Sequence, residues 1–284
     1  MRAEQAKRRS KKVFFLTGAA SGIGKHLATR LVAEGHRVFC TDLNFEALQD
    51  WVEEEDHQSG PVAIAKLDVR QPLEWTQCIQ EARRRFGSID VVLNIAGYLR
   101  PGYAEDVTLA EVDLHLDVNV KGVIFGSQAA AQEMIRQGYG HIINIGSLAS
   151  LSPVPGLSLY VASKFAVRGY TLSIAEELRS KGIAVTLVLL DAVKTPMLDL
   201  QADYEEAAMT FSGSRPLDLE EVSDLFFDQI FPLQPLEVTY PRSRGLLARA
   251  AGISPEIARV VGPALRKKGL QAQRKYSPGQ EKNS

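Results

Sequence analysis

Short runs of apolar and β-branched residues alternate along this chain with longer stretches in which apolar residues recur at helical spacing. The stretches predict helices over residues 45–55, 73–86, 112–137, 158–181 and 217–231, and one more that ends near Gly35. The runs predict strands over residues 13–17, 37–41, 62–67, 89–93, 141–145, 183–190 and 236–240. Parallel strands need long crossover connections, and nearly continuous apolar strands are typical of a sheet buried on both faces. The pattern therefore predicts an α/β fold in which helices cover both faces of a parallel sheet.

No internal repeat or linker divides this pattern, so we predict one domain over residues 13–240. A basic tail, residues 1–12, precedes it, and an extension, residues 241–284, follows it. Charged residues followed by Val13-Phe14-Phe15-Leu16 resemble the start of a signal peptide. Because the apolar run ends at Thr17-Gly18, we interpret it as the first strand.

Composition excludes several classes of protein. The 284 residues are 45% hydrophobic and 24% charged, which is typical of a soluble globular protein and excludes a disordered or fibrous chain. Two cysteines are too few for a disulfide framework or a cysteine-based zinc site, and they favour a reducing cytoplasm. The longest apolar run, residues 183–190, is too short to span a membrane. The five histidines show no paired ligand spacing, so we expect no metal in catalysis.

The net charge of −1 conceals two basic ends on an acidic body. Residues 1–12 carry six Lys or Arg against one Glu, and residues 240–284 carry ten against two acids. The simplest interpretations are solvated tails or docking on the acidic surface of a neighbouring subunit. Nucleic-acid binding lacks support, since no recognisable module or interleaved aromatic residues accompany these charges.

A glycine-rich loop follows the first predicted strand directly. Its sequence, Thr17-Gly18-Ala19-Ala20-Ser21-Gly22-Ile23-Gly24, leads into a helix. Glycines let the backbone approach a pyrophosphate closely, while the free N–H groups at the helix start attract its negative charge. We therefore predict that Gly18, Ser21, Gly22, Ile23 and Gly24 bind the phosphates of a dinucleotide. A plain strand-to-helix turn is the alternative that this loop alone leaves open.

Asp42 ends the second predicted strand, eighteen residues after Gly24. An acid at this place can accept hydrogen bonds from both hydroxyls of an adenosine ribose, and it would repel a 2′-phosphate. Neither the glycine-rich loop nor Leu43 supplies the Arg or Lys that NADP usually requires. The cofactor predicted is therefore NAD, although an Asp here also fits a helix cap or turn.

The chain resembles the classical short-chain dehydrogenase/reductase family over roughly residues 12–240. The residues that carry the resemblance are Thr17-Gly18-x-x-x-Gly22-x-Gly24, Asp68-Val69, Asn94-Ile95-Ala96-Gly97, Asn119, Ser147 and Tyr160-Val161-Ala162-Ser163-Lys164. The resemblance implies a doubly wound Rossmann domain of three layers, usually a homodimer or homotetramer, that moves hydride between a nicotinamide and an alcohol or carbonyl. It further implies that Asp68 and Val69 contact the adenine, and that Asn94, Ala96 and Gly97 support the sheet beside the cofactor.

Tyr160 and Lys164 are the residues expected to move the proton. They are four apart on a predicted helix, so they share one face, and the ammonium can stabilise a phenolate. A phenol with a pKa of about 10 is a poor base at neutral pH, so we expect its pKa to be lowered jointly by Lys164 and an oxidised nicotinamide. The resemblance adds that Lys164 binds the nicotinamide ribose.

Ser147 and Asn119 complete the predicted catalytic set. Ser147 follows the fifth strand and is expected to hydrogen-bond the substrate oxygen. Asn119 resembles the family residue that fixes a water for proton relay to Lys164. Separately, each of the four residues has an ordinary interpretation, as a local hydrogen-bonding group or part of an exposed helix face. Together with the loop, they predict an active site.

The chain departs from the family after the sixth strand. The family pattern Pro-Gly-x-Val-x-Thr corresponds here to Leu190-Asp191-Ala192-Val193-Lys194-Thr195. Val193 and Thr195 remain to contact the nicotinamide carboxamide. Asp191 either places a carboxylate near the reaction, which disfavours anionic substrates, or turns to solvent or caps the next helix.

Mostly apolar segments are expected to surround the substrate. These are residues 98–103, residues 148–157 and a lid after Thr195 with Met197, Leu198, Leu200, Met209 and Phe211. They favour an apolar alcohol or ketone, whereas Arg100 is interpreted as a surface residue. The predicted function is an NAD-dependent alcohol dehydrogenase or carbonyl reductase. The alternative is a regulatory NAD-binding protein that has lost catalysis on the same fold.

The extension contains one predicted helix. Ser254-Pro255 is a typical helix start, and Ile257, Val260, Val261, Ala264 and Leu265 follow at helical spacing. Gly262-Pro263 is expected to kink or break this helix. Its basic residues leave two interpretations open: packing on the protein's own body or on a partner subunit, or weak contact with an anionic membrane surface.

Overall fold

Seven parallel strands form a single sheet in the computed structural model, which describes residues 11–55 and 60–276. The strand order is β3-β2-β1-β4-β5-β6-β7. The strands are β1 Val13–Thr17, β2 Arg37–Asp42, β3 Val62–Lys66, β4 Val91–Asn94, β5 Gly140–Ile145, β6 Ile183–Leu190 and β7 Glu237–Tyr240. The order reverses between β1 and β4, which opens a crevice at the carboxyl ends of these strands. The predicted α/β, Rossmann-type parallel sheet is confirmed.

Helices cover both faces of this sheet. They are α1 Gly22–Ala33, α2 Phe45–Glu54, α3 Pro72–Phe86, α4 Leu109–Leu116, α5 Gly122–Gln137, α6 Ser158–Arg179, α7 Pro196–Ala202, α8 Leu219–Leu225, α9 Phe231–Leu233, α10 Arg242–Ile253 and α11 Pro255–Gln273. Successive β1 residues point to opposite faces, so Phe14 and Phe15 enter two separate apolar clusters. Leu27 and Trp51 pack on one face, and Trp75 on the other. These two clusters fix the strands whose ends carry the candidate site.

Two predicted helices are each interrupted by a π-helical turn. The helix predicted over residues 112–137 consists of α4, a π turn at Asp117–Lys121 and α5. It begins earlier than predicted, because Thr108 and Glu111 form a capping box. The helix predicted over residues 217–231 is divided in the same way into α8, a π turn at Phe226–Ile230 and α9. It begins at α8, where Asp218 and Glu221 form a capping box.

The extension forms two helices, of which α10 was not predicted. The helix was expected to kink or break at Gly262-Pro263; a break is wrong, because α11 runs without interruption through Pro263. Its second half is held by contacts with the segment before α8. A Cβ on Gly269 would lie 1.9 Å from the carbonyl oxygen of Ala208. The Gln273 amide also donates to the carbonyl of Tyr204 at 2.7 Å. These contacts hold α11 in place although Pro263 cannot make its own helical hydrogen bond.

Parts of the basic ends lie outside the described residues. These parts are residues 1–10 and 277–284, and His57 also lies outside. Within residues 11–55 and 60–276, no helix combines the length and apolar character that crossing a bilayer requires.

Candidate active site

The glycine-rich loop turns sharply at the carboxyl end of β1. Gly18 has a φ of +66°, and a Cβ there would lie 2.9 Å from the backbone of Ala96. Thr17 joins the loop to the end of β4, since its Oγ1 accepts from the N–H groups of Ile95 at 3.0 Å and Ala96 at 3.1 Å. Sequence reasoning missed this role of Thr17. The carboxyl ends of β1 and β4 are thereby held together at the reversal of the sheet.

The loop has the geometry that a dinucleotide phosphate group needs. A Cβ on Gly24 would lie 2.0 Å from the carbonyl oxygen of Gly18, so only glycine allows α1 to begin so close to β1. Thr195 lies on the other side of the loop, because a Cβ on Gly22 would be 3.0 Å from its Cγ2. The residues fit a pyrophosphate at the start of α1, between the loop and Thr195.

The Asp42 carboxylate stabilises the loop and also lines the cavity beside it. Its Oδ2 accepts from the N–H of Ala20 at 3.0 Å, and its Oδ1 accepts from the N–H of Asn44 at 2.9 Å. Each oxygen has further acceptor capacity, so a pair of ribose hydroxyls can still bind. Leu43, the next residue along the cavity, is exposed and carries no charge.

Asp68 lies on the same cavity but is paired with an arginine. The Arg70 guanidinium donates to its carboxylate at 2.6 Å, and these hydrogen bonds hold the pKa of Asp68 below its ordinary value. Val69 lines the cavity beside them. A contact of Asp68 and Val69 with adenine stays a prediction.

Asn94 belongs to a buried polar network rather than to the cavity wall. Its Nδ2 donates to Oδ1 of Asn144 at 2.7 Å, and Asn144 donates to Thr171 at 3.0 Å. Ala96 and Gly97, in contrast, line the cavity. The geometry at Asn94 is that of a residue supporting the junction of β4 and β5, and contact with a cofactor stays a prediction for it.

Tyr160 and Ser147 meet at the carboxyl end of β5. The hydroxyl of Ser147 is oriented by the N–H of Ala149, from which it accepts at 3.1 Å. Burial raises the pKa of Tyr160 to about 12, against a hydrogen bond with Ser147 that lowers it. The phenol and the hydroxyl are therefore placed to contact one substrate oxygen.

Lys164 lies beneath this pair as a buried amine. Its Nζ is 5.5 Å from the centroid of the Tyr160 ring and donates to the carbonyl of Ile145 at 2.9 Å. Burial lowers the pKa of Lys164 to about 8. Among the protein groups, burial outweighs the hydrogen bond from Ser147 in setting the pKa of Tyr160. The joint lowering of this pKa by Lys164 and an oxidised nicotinamide stays a prediction.

Asn119 lies in the π turn between α4 and α5, fully buried. Its Oδ1 accepts from the N–H of Tyr98 at 2.7 Å, and its Nδ2 donates to the carbonyl of Tyr98 at 2.8 Å. It also donates to Ser163 at 3.0 Å, next to Lys164 on α6. Asn119 thus fixes the segment after β4 against α6, and its role in a proton relay stays a prediction.

Asp191 neither turns to solvent nor caps a helix. Its Oδ2 accepts from Nε of Arg244 at 2.8 Å, and the same guanidinium donates to Ser212 at 3.2 Å. Arg244 belongs to α10, so this ion pair ties the extension to the end of β6. The pair was not predicted, since no local signal relates residues that lie far apart in the sequence.

A single cavity of about 1230 Å³ connects these groups. This exceeds the roughly 300–1,000 Å³ usual for one small ligand, so there is room for a dinucleotide and a substrate. The predicted residues that line it are Gly18, Ser21, Gly22, Ile23, Asp42, Asp68, Val69, Ala96, Gly97, Ser147, Tyr160, Lys164, Val193 and Thr195. Those that do not are Gly24, Asn94 and Asn119.

The substrate end of the cavity is mainly apolar. Its body-derived wall includes Leu99, Leu148, Leu157, Met197 and Met209, in agreement with the predicted segments. Leu200 and Phe211, also expected there, do not line it. Residues of α10 and α11 complete the wall, which sequence reasoning missed: Arg244, Leu247, Ala248, Ala251, Ala258, Arg259, Val261, Gly262, Pro263, Leu265 and Arg266.

Comparisons with known proteins identify the family of this chain. The family described as short chain dehydrogenase matches residues 12–206. A 3-alpha-(or 20-beta)-hydroxysteroid dehydrogenase of Mycobacterium bovis is 39% identical over 215 residues, which cover 75% of this chain and 80% of that protein. An uncharacterized oxidoreductase of Staphylococcus aureus is 35% identical over 184 residues, covering 65% and 79%.

Solved structures show the same fold. A short-chain type dehydrogenase/reductase from Mycobacterium marinum has a TM-score of 0.74 at 28% identity, over 81% of this chain and 94% of that one. A gluconate 5-dehydrogenase from Burkholderia cenocepacia, in complex with NADP and tartrate, has a TM-score of 0.72 at 24% identity, over 82% and 94%. The chain therefore belongs to the short-chain dehydrogenase family of oxidoreductases, which use a nicotinamide cofactor.

Proposed function

We propose that the protein is an NAD(H)-dependent oxidoreductase that interconverts a secondary alcohol and a ketone on an apolar substrate. The main support is that Tyr160, Ser147 and Lys164 converge on the cavity that also contains the glycine-rich loop. Proton transfer and nucleotide binding would then occur in one cavity.

Tyr160 is the general acid and base in this proposal. During oxidation, Ser147 donates a hydrogen bond to the substrate oxygen, and Tyr160, once its own proton has passed to solvent, accepts the hydroxyl proton as a phenolate. The hydride that leaves the carbon would pass to the bound nicotinamide. A bound nicotinamide supplies hydride acceptance and, when oxidised, a positive charge beside the phenol. Lys164 uses one of its three N–H donors on Ile145, so two remain for a ribose hydroxyl and a proton-relaying water.

NAD is the proposed cofactor because of the charge at the ribose end of the cavity. Asp42 can accept hydrogen bonds from the ribose diol, whereas a 2′-phosphate would meet its carboxylate. At the other end, Val193 and Thr195 line the cavity where a carboxamide would lie.

An apolar substrate is favoured by the substrate end of the cavity. Leu99, Leu148, Leu157, Met197 and Val261 supply its surface. The dehydrogenase from Mycobacterium bovis that is similar to this chain is named for hydroxysteroids, which are apolar alcohols. We therefore propose a large apolar alcohol or ketone, without naming one compound.

The proposal includes a cytoplasmic location and a homo-oligomer. Light scattering on the purified protein tests the homo-oligomer. A catalytically silent NAD-binding protein is less favoured, since Ser147, Tyr160 and Lys164 line the same cavity as the glycine-rich loop.

Absorbance of NADH during incubation with a panel of secondary alcohols and ketones tests the function. The proposal expects turnover with apolar members of the panel and NAD(H). Binding of NAD without turnover across the panel would favour the regulatory alternative.

A further inference from the structure

Helices α10 and α11 carry apolar residues on two different sides. On the inner side, Val261 and Leu265 line the cavity. On the outer side, Ile253 is 86% exposed, Val260 82% and Leu246 69%. The apolar stripe predicted for α11 is thus divided, and its outer part is not explained by packing on the protein's own body.

Basic side chains accompany the outer apolar residues. The exposed ones are Arg242, Arg259, Lys267, Lys268, Arg274 and Lys275. Glu256 is the sole acid among residues 241–276, and it approaches Arg259 only at 3.8 Å. We call these basic side chains together with Leu246, Ile253, Glu256 and Val260 the outer face. It combines aliphatic side chains with six basic groups against one acid.

The outer face adjoins the opening of the cavity. Arg259 and Pro263 are both exposed and both line the cavity, so they lie at its opening. Val260 is the neighbour of Arg259 in the chain. A partner seated on the outer face would therefore be next to the place where substrate enters.

We propose that the outer face docks on an anionic membrane surface. Aliphatic residues among Lys and Arg are typical of helices that lie in a lipid–water interface. A second copy of the chain fits less well, because the contact regions of protein interfaces are depleted in Lys. The outer face includes Lys267, Lys268 and Lys275.

Docking there would let an apolar substrate pass from the lipid into the cavity without crossing water. This consequence rests on the proposed function, whereas docking itself does not. The inner side of α11 is fixed on the body by Gln273 and by the close approach of Gly269 to Ala208, so the outer face is available without unfolding the extension.

Sedimentation of the full-length protein with vesicles, in the absence of cofactor and substrate, tests the docking. We expect binding to phosphatidylcholine vesicles that contain phosphatidylserine, little binding to phosphatidylcholine alone, and weaker binding as salt rises. The double variant Lys267→Gln/Lys268→Gln should lower the partition coefficient about fivefold per charge removed. Ile253→Ser/Val260→Ser should lower it by at least about tenfold.

Matched controls lie elsewhere on the surface. Leu233→Ser removes another exposed apolar residue, and Lys181→Gln removes another exposed charge. Both should bind within about twofold of the wild type. Circular dichroism and the melting temperature check that each variant is folded.

Absence of sedimentation with the anionic vesicles at low salt would overturn the proposal, and so would equal losses in the control variants. A mass increase in light scattering that Ile253→Ser/Val260→Ser abolishes would assign the outer face to a second copy instead. Because no turnover is measured, failure of the proposed function would leave this result unchanged.

Discussion

Replacing Arg244 by Gln should weaken substrate binding while leaving the chemical step intact. Arg244, on α10, donates hydrogen bonds to Asp191 at the end of β6 and to Ser212 in the segment before α8. All three residues line the substrate cavity. The change leaves the Asp191 carboxylate without its cationic partner and loosens the attachment of the extension.

The size of the effect follows from the burial of the pair. The Nε–Oδ2 distance is 2.8 Å, and the side chains of Arg244 and Asp191 are 25% and 15% exposed. A charge-assisted hydrogen bond is worth about 1.5–3 kcal/mol when buried and less at the surface, so we estimate about 1–2 kcal/mol here. That free energy corresponds to an increase of up to about five- to thirtyfold in KM, since an opened extension lowers the fraction of protein that can bind substrate.

Steady-state kinetics with a substrate found in the alcohol panel measures this effect. We expect kcat to stay within about twofold, because Tyr160, Ser147 and Lys164 do not contact Arg244. Arg249→Gln is the matched control: Arg249 also belongs to α10 but bonds Glu237 and Thr239 on β7, outside the cavity. A KM for Arg244→Gln no higher than that of the control would refute the reasoning.

Three further predictions concern charges. Asp42→Ala should narrow the preference for NAD over NADP, measured as the ratio of kcat/KM values, by at least about tenfold; an unchanged ratio would contradict the ribose contact. Lys164→Met should raise the free energy of unfolding by about 2 kcal/mol at pH 7, because it removes a buried charge with a pKa lowered to about 8. Between pH 8 and 10.5, the unfolded wild type binds more protons at Lys164 than the folded wild type does, so the stability of the wild type rises with pH. The stability advantage of Lys164→Met, measured by urea titrations, should therefore shrink over this pH range. A constant difference in the free energy of unfolding would contradict the prediction. His141 is neutral when folded, since burial lowers its pKa to about 3, so stability should fall as pH drops from about 6.5 towards 3, and His141→Gln should reduce that loss in acid unfolding curves.

The sequence was sufficient to predict the sheet, because strand identity depends on local composition. Residues 13–17 and 183–190 match β1 and β6 at both ends. Strand ends elsewhere differ by one or two residues, as at β4, which begins at Val91 rather than Ile89. Helix starts were missed where a cap decides them, as with the box of Thr108 and Glu111.

The cavity wall was less predictable than the strands. The glycine-rich loop, Ser147, Tyr160 and Lys164 occur at separations that a doubly wound sheet brings together, so their convergence could be predicted. Arg244 and Asp191 are 53 positions apart, and their pairing depends on how α10 packs on the body. Helix periodicity in α11 indicated an apolar face but not that it forms part of the cavity.

Turnover by Tyr160→Phe tests the central claim most directly. The account predicts that NAD still binds this variant with nearly unchanged affinity in a titration, because the loop, Asp42 and Lys164 remain. It predicts that NADH formation from an alcohol that the wild type oxidises falls by at least about a thousandfold. Turnover within about tenfold of the wild type would contradict the assignment of Tyr160 as the general acid and base.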